Sequence, residues 1–317
     1  MKYINNVNLR GGGGITVIVS GPVLGTEMEP VLYTRKALES VRRCLPESEL
    51  ILSTWKEEAV DGLDYDILIQ SDDPGGNTGN VNRQICSRLA GLRKANNEIC
   101  LCIRSESIIK RLDFMNFLDV FNEHSGTYRF LEHRIVIPAT YPACRGELFH
   151  IGDWYFFGHK EDLISFWDIP YMQDNLYNNT DDDLIYNPHR YIITSFVKKY
   201  YPLKFEKITD ITPESKKIYE AVIAENFVVT GFYEYGIESL KYPLTYSFFN
   251  KLFHKEVGYT FCEWKELYNE YSGGNETIKK TFYERFMIDF CIPFKRSKIG
   301  QLLFKVRSKL FKLNYWE

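Results

Sequence analysis

NRQICSRLAGLRKA at Asn82–Ala95, followed three residues later by ICLCI at Ile99–Ile103, is the stretch that decides the fold. Ile85, Leu89 and Leu92 recur at helical spacing, which predicts an amphipathic helix. The second run is short, apolar and uninterrupted, as in a strand buried on both faces. Working toward the N-terminus, Asp66–Gln70 (DILIQ) and Leu50–Ser53 read as two more strands. Thr34–Cys44 places Ala37, Leu38 and Val41 on one helical face before Pro46 breaks it. Ile15–Ser20 (ITVIVS) is a further strand that stops at Gly21-Pro22. Strands alternating with helices in this way predict an α/β domain around a mostly parallel sheet.

Toward the C-terminus, Arg134–Pro138 and Trp154–Gly158 read as strands and Lys160–Trp167 as a short helix. Tyr171–Pro188 is polar and acidic, a loop. Tyr191–Tyr200 and Glu214–Ile223 read as helices, and Phe227–Thr230 as a strand. The expected organisation is a flexible lead-in over 1–14, one domain over 15–245, and a mainly helical extension over 246–317.

Composition narrows the function classes. Of 317 residues, 44% are hydrophobic and 26% charged, enough apolar side chain for a real core. The net charge of -3 gives no reason to expect a nucleic-acid partner. No apolar run is long enough to span a bilayer, and the polar N-terminus lacks the apolar core of a secretory signal. The 7 Cys are scattered and predict reduced thiols, not a disulfide framework.

In a parallel α/β sheet, ligands sit beyond the carboxyl ends of the strands. That directs attention to Gly21–Gly25, Ser53–Trp55, Ser71–Asn80 and Arg104–Glu106. Gly21-Pro22 fits neither GxGxxG nor GxxxxGK[ST], which argues against a dinucleotide or P-loop enzyme. It is either a tight turn or a backbone wall that a base or sugar can approach. Asp72 and Asp73 end a strand, where they either contact a ribose or simply make a turn. Asn82 and Arg83 open the deciding helix, and Arg83 is able to pair with phosphate. Glu106 lies just past the next strand and is a candidate ligand for Mg²⁺ or Mn²⁺ bridging a diphosphate. Taken singly, Arg83 and Glu106 read as solvated surface charges; their order along the chain favours a site. Asp153, between Gly152 and Trp154, is the candidate base for a hydroxyl proton, with Glu147 and His150 in reserve. Trp154 offers a flat face for a sugar ring, though it reads equally as core. Lys241 leaves a strand-like segment where it either meets a phosphate or merely starts a turn.

Several of these pieces together resemble one family. They are Val19–Pro22 (VSGP), Pro46–Trp55 (PESELILSTW), Ser71–Gly75 (SDDPG), Asn82–Ile85 (NRQI), Ile103–Glu106 (IRSE) and His150–Trp154 (HIGDW). In this order they are similar to the WavE lipopolysaccharide-synthesis family and, more widely, to the nucleotide-sugar half of GT-A glycosyltransferases. The resemblance implies a GT-A-like nucleotide-sugar-binding fold. It implies transfer of a sugar from a nucleotide-sugar donor to a bacterial surface glycan, lipopolysaccharide or capsule, or to its lipid-linked precursor. GT-A enzymes usually carry Asp-x-Asp after the fourth strand, and relatives of this family tend to show Arg-x-Asp. Here the chain has Arg104-Ser105-Glu106, which puts metal use in doubt and lets Arg104 neutralise diphosphate charge. The rival reading is a non-catalytic nucleotide- or glycan-binding subunit of a membrane-associated assembly.

Residues 293–316, PFKRSKIGQLLFKVRSKLFKLNYW, hold Lys295, Arg296, Lys298, Lys305, Arg307, Lys309 and Lys312 and no acid. Ile299, Leu302, Leu303, Val306 and Leu310 recur at helical spacing. A basic amphipathic helix of this kind fits an anionic membrane surface. It predicts a cytoplasmic protein held peripherally on the inner face of the cell membrane. An ordinary terminal helix packed on the domain is the plainer alternative.

Overall fold

The computed structural model describes residues 14–138, 148–173, 188–206, 210–230, 236–241, 259–280, 282–286 and 298–299. The strands of the main sheet are β1 (Ile15–Ser20), β2 (Glu49–Trp55), β3 (Ile67–Ser71), β4 (Ile99–Arg104), β6 (Ile135–Ile137), β7 (Tyr155–His159) and β8 (Phe227–Val229). Their spatial order is β3-β2-β1-β4-β7-β6-β8. β1, β2, β3 and β4 all run parallel, as do β6 and β8. β7 runs antiparallel to both of its neighbours. A separate antiparallel ribbon joins β5 (Ser107–Ile109) to β9 (Ile237–Ser239).

The uninterrupted apolar runs of β1 and β4 are explained by burial: Val17, Ile18, Leu101 and Ile103 have no exposed surface. Each such side chain stabilises the fold by roughly 1.5–3 kcal/mol relative to an exposed one. Helix α1 (Leu32–Cys44) buries Ala37, Leu38 and Val41, as its spacing predicts. Helix α2 (Val81–Lys94) lies against β1, β2 and β3. Gly91 permits that approach, since a Cβ there would come 2.4 Å from Ile18 Cγ2.

β2 runs past the expected end at Ser53 as far as Trp55, because Thr54 and Trp55 stay paired in register with Gln70 and Ser71 of β3. Ser53 Oγ donates to the Ser87 carbonyl at 2.7 Å. Helices α3 (Lys160–Trp167), α4 (Pro188–Lys198) and α5 (Pro213–Asn226) fall close to their expected positions.

Helix α6 (Phe261–Ser272) begins with a capping box between Thr260 and Glu263. It buries Trp264, Leu267 and Tyr268 in the same core as β8 and packs along α5. Trp264 meets Phe121 edge-on at 4.7 Å. This part of the 246–317 segment therefore belongs to the main core. The lead-in over 1–13 and all but two residues of the basic segment 293–316 lie outside the described residues. Among the described residues, no helix is long and apolar enough to cross a membrane.

Candidate active site

Parallel β1, β2, β3 and β4 deliver their carboxyl ends to one edge of the sheet, where the following turns interlock. Gly21 N–H donates to the Ser53 carbonyl at 3.0 Å, and Ser105 N–H donates to the Ser20 carbonyl at 3.1 Å. Ser105 Oγ donates to the Pro22 carbonyl at 2.5 Å. Gly21 has φ +121, and a Cβ there would stand 3.3 Å from Ser105 Oγ. Glycine is what lets the Gly21-Pro22 turn close onto the Arg104–Glu106 turn.

Antiparallel β7 adds the missing piece. Tyr155 pairs with Ile103, so the residues that precede β7 arrive beside the residues that follow β4. Asp153 and Arg104 meet there. Arg104 Nη1 donates to Asp153 Oδ2 at 3.3 Å, while Arg104 Nε lies 2.7 Å from Glu106 Oε1, an ion pair without hydrogen-bond alignment. The Arg104 guanidinium also lies over the Trp154 ring, 5.2 Å from its centroid. Behind this group, Arg88 of α2 donates to the Asp153 carbonyl and to Gln84 Oε1. Two cations and two carboxylates thus form one cluster. Arg104 is its accessible member, with 26% of its side chain exposed against 2% for Glu106 and 8% for Asp153.

Burial alone would raise the Asp153 carboxyl. The charges of Arg104, His189 and Arg88 outweigh it and hold the group at about 2. Burial pulls Arg88 down to about 10, which leaves it charged at neutral pH. His189 is also lowered by burial, against the pull of Asp153.

Alongside lies a cleft of about 340 Å³ lined by Trp55, Lys56, Glu57, Glu58, Asp72 and Asp73. Four of these six side chains are carboxylates. Lys56 pairs with Asp72 at 2.7 Å. Arg83 grips Asp73 through two nitrogens, Nη2 to Oδ2 at 2.5 Å and Nε to Oδ1 at 2.8 Å. That bond holds Asp73 below the usual carboxylate range. Glu58 is raised by burial and feels both Arg83 and Asp73. The lining is acidic, so it suits hydroxyl and amide donors better than phosphate.

The other expected residues are distributed as follows. Asn82 is buried, and its amide both donates to and accepts from the Met172 backbone, at 3.0 and 2.7 Å. It fastens the start of α2 to the 170s segment. His150 is buried, its ring 4.8 Å from that of His189. Trp154 is buried beneath Arg104, so the ring face expected to meet a sugar carries a guanidinium. Lys241 is exposed and follows Leu240, whose N–H donates to the Glu106 carbonyl at 2.9 Å. Glu147 lies outside the described residues.

Glu106 does not have the setting of a divalent-cation ligand. It is buried, and its nearest charge is a guanidinium rather than a second carboxylate. Its neighbour Asp153 shares that same guanidinium. The cluster is already electrically balanced, and Arg104 stands where added positive charge would be useful.

Arg88 and His189 were not among the expected site residues. Arg88 had a signal: it falls three residues after Ile85 and four before Leu92, a charge on the apolar face of α2. His189 had none, since only the packing of α4 brings it near Asp153.

The arrangement defines a mixed α/β protein with a candidate site on the carboxyl edge of its central parallel strands. The sequence matches the WavE lipopolysaccharide synthesis family over residues 15–292, and the chain belongs to that family. No curated protein matches it. Among solved structures it is similar to the crystal structure of S. aureus TarS, with a TM-score of 0.35 and 11% identity. The match covers 90% of this chain and 46% of that one, so the chain spans under half of the TarS length.

Proposed function

We infer that the chain is a glycosyltransferase that moves a sugar from a nucleotide-sugar donor to a bacterial surface glycan or its lipid-linked precursor. One observation carries this reading: a partly exposed Arg104 standing over buried Glu106 and Asp153 at the carboxyl edge of the sheet. A departing nucleoside diphosphate needs its growing negative charge stabilised, and a guanidinium does this without a metal. In this reading the acidic cleft at Trp55–Asp73 takes the nucleoside, whose hydroxyls donate to carboxylates. Gly21 and Pro22 form the wall beside it, and the diphosphate lies on Arg104, with Lys241 nearby. Arg83 orients Asp73 rather than binding phosphate itself. Asp153 accepts the acceptor hydroxyl proton, and Trp154 borders the acceptor side.

The proposed chemistry couples donor binding to base strength. A carboxylate held at about 2 is a feeble base. A diphosphate that draws Arg104 away removes the nearest positive charge and makes Asp153 more basic just as the acceptor needs it.

The test is nucleotide binding and sugar-nucleotide turnover by the purified full chain. Ligands that bind only the folded state raise its apparent melting temperature, so a screen of UDP, GDP and CMP compounds identifies the donor base. Arg104→Ala is expected to weaken nucleoside diphosphate binding by about 10–100-fold, the worth of a charged hydrogen bond. Affinity for the bare nucleoside should change little. Unaltered diphosphate binding and turnover in this variant would defeat the assignment. Tight binding with no turnover of any sugar nucleotide would favour the non-catalytic subunit instead.

We also propose that the basic segment 293–316 holds the enzyme against the inner face of the cell membrane, within reach of lipid-linked acceptors. Each Lys or Arg near an anionic surface contributes about 1 kcal/mol. Co-sedimentation with phosphatidylglycerol vesicles at low salt should require this segment. Equal sedimentation of the full chain and a chain ending at Cys291 would sink the idea.

A further inference from the structure

At the opposite edge of the sheet, about 16 Å from Arg104 by the rise of β4, lies a second constellation. His159 ends β7 and pairs in register with Ile99, the first residue of β4. Pairing of Val136 with Phe157 brings the residues before β6 alongside, among them His133. The two imidazoles stack, with centroids 3.7 Å apart and planes 18° from parallel. Asp119 completes the group: one ligand atom from each of the three residues lies within 4.8 Å of the others. We propose that Asp119, His133 and His159 form a binding site for a late first-row transition ion, with Zn²⁺ the best match.

The surrounding carboxylates argue for this as strongly as the three ligands do. His133 Nδ1 lies 3.1 Å from Asp162 Oδ2. Asp162 is itself fixed by the backbone N–H groups of Glu132 and His133, at 2.8 and 3.0 Å. His159 Nδ1 lies 3.4 Å from Glu98 Oε1. A carboxylate behind each ring is how metal-binding histidines are oriented and made better donors. His159 Nε2 then lies 3.0 Å from Asp119 Oδ2. As an imidazolium, His159 donates to both carboxylates; an ion on Nε2 would take the place of the proton shared with Asp119, while Glu98 keeps the N–H on Nδ1. Two nitrogens and one oxygen suit Zn²⁺ with a fourth, solvent position, and do not suit Mg²⁺. Among the described residues this is the one such group of three. A bound ion would tie the Asp119 turn to the starts of β6 and α3, far from the sugar-transfer chemistry.

Asp119 provides an unusually clean control. Its φ is +53, a conformation that Asn adopts as readily as Asp. Asp119→Asn therefore removes the charge and keeps the turn. The experiment is calorimetric titration of tag-free, chelator-treated full chain with ZnCl2. One ion per chain should bind with Kd below about 10 μM, or roughly 7 kcal/mol. Asp119→Asn and His133→Asn should each weaken it at least about tenfold. Glu106→Gln should leave it unchanged, which separates this site from the sugar-nucleotide site. The Co²⁺ form should lack thiolate charge-transfer absorption, since no cysteine is a ligand. Absence of binding by the wild-type chain, wild-type affinity in Asp119→Asn, or a thiolate spectrum would each overturn the proposal.

Discussion

Asp153→Asn is expected to cut sugar transfer by about 10²–10⁴-fold while nucleotide affinity moves only a few-fold, as when a general base is lost. The substitution is nearly isosteric, so the Arg104 position survives while the proton acceptor does not. The coupling between donor and base gives a sharper signature. In the unliganded protein Arg104, His189 and Arg88 hold Asp153 at about 2. In the proposed donor complex, Arg104 turns to the diphosphate. The acid limb of kcat, which reports the donor complex, should then lie at higher pH than that of kcat/KM, which reports the unliganded enzyme. Coincident acid limbs would refute the coupling. Stability carries the same mark. Asp153 has a folded pKa below its unfolded value of about 3.9, so its stabilisation is present above about pH 4 and is lost as pH falls toward 2. That contribution is on the order of 2 kcal/mol, and Asp153→Asn should lack this part of the acid slope in urea unfolding.

The sheet was readable because the buried strands write their burial directly into the sequence. ITVIVS and ICLCI are apolar apart from Thr16 and Ser20, whose hydroxyls are hydrogen-bonded, and both strands are central. The carboxyl-edge rule then pointed to Gly21, Asp72, Asp73, Arg104 and Glu106 before any packing was known. Three things were not readable. The pairing of Arg83 with Asp73 depends on how the loop after β3 folds back onto α2, which spacing does not encode. The meeting of Arg104 with Asp153 depends on the reversal of β7, and a five-residue apolar strand looks alike in either direction. The histidine group at the far edge draws its members from residues 119, 133 and 159, and no ligand spacing links them in the sequence. Asn82 sits in the same motif, and its amide holds the Met172 backbone, a tie that no spacing in the sequence announces.

Arg88 is where fold and site bear on the same side chain, and Arg88→Ala should cost about 3–5 kcal/mol, the usual loss when one member of a buried ionic group is removed. Its guanidinium has almost no exposed surface and lies 4.4 Å from the Trp167 ring centroid and 5.3 Å from that of Phe156. Truncation removes this packing, opens a cavity, and orphans the Asp153 carbonyl and Gln84. It also leaves Arg104 alone to balance Glu106 and Asp153. For a chain of this size the melting temperature should drop by roughly 10 °C. Arg88→Met separates the causes, because it refills most of the volume without the charge. If packing dominates, Arg88→Met recovers most of the stability. If charge balance dominates, it recovers little, and the stability lost between about pH 4 and 2 shifts to higher pH as Asp153 loses a partner. Either result assigns the buried cation a role. Wild-type stability in Arg88→Ala, within about 1 kcal/mol, would mean that the charge cluster beneath Arg104 is not what holds this edge of the sheet in place.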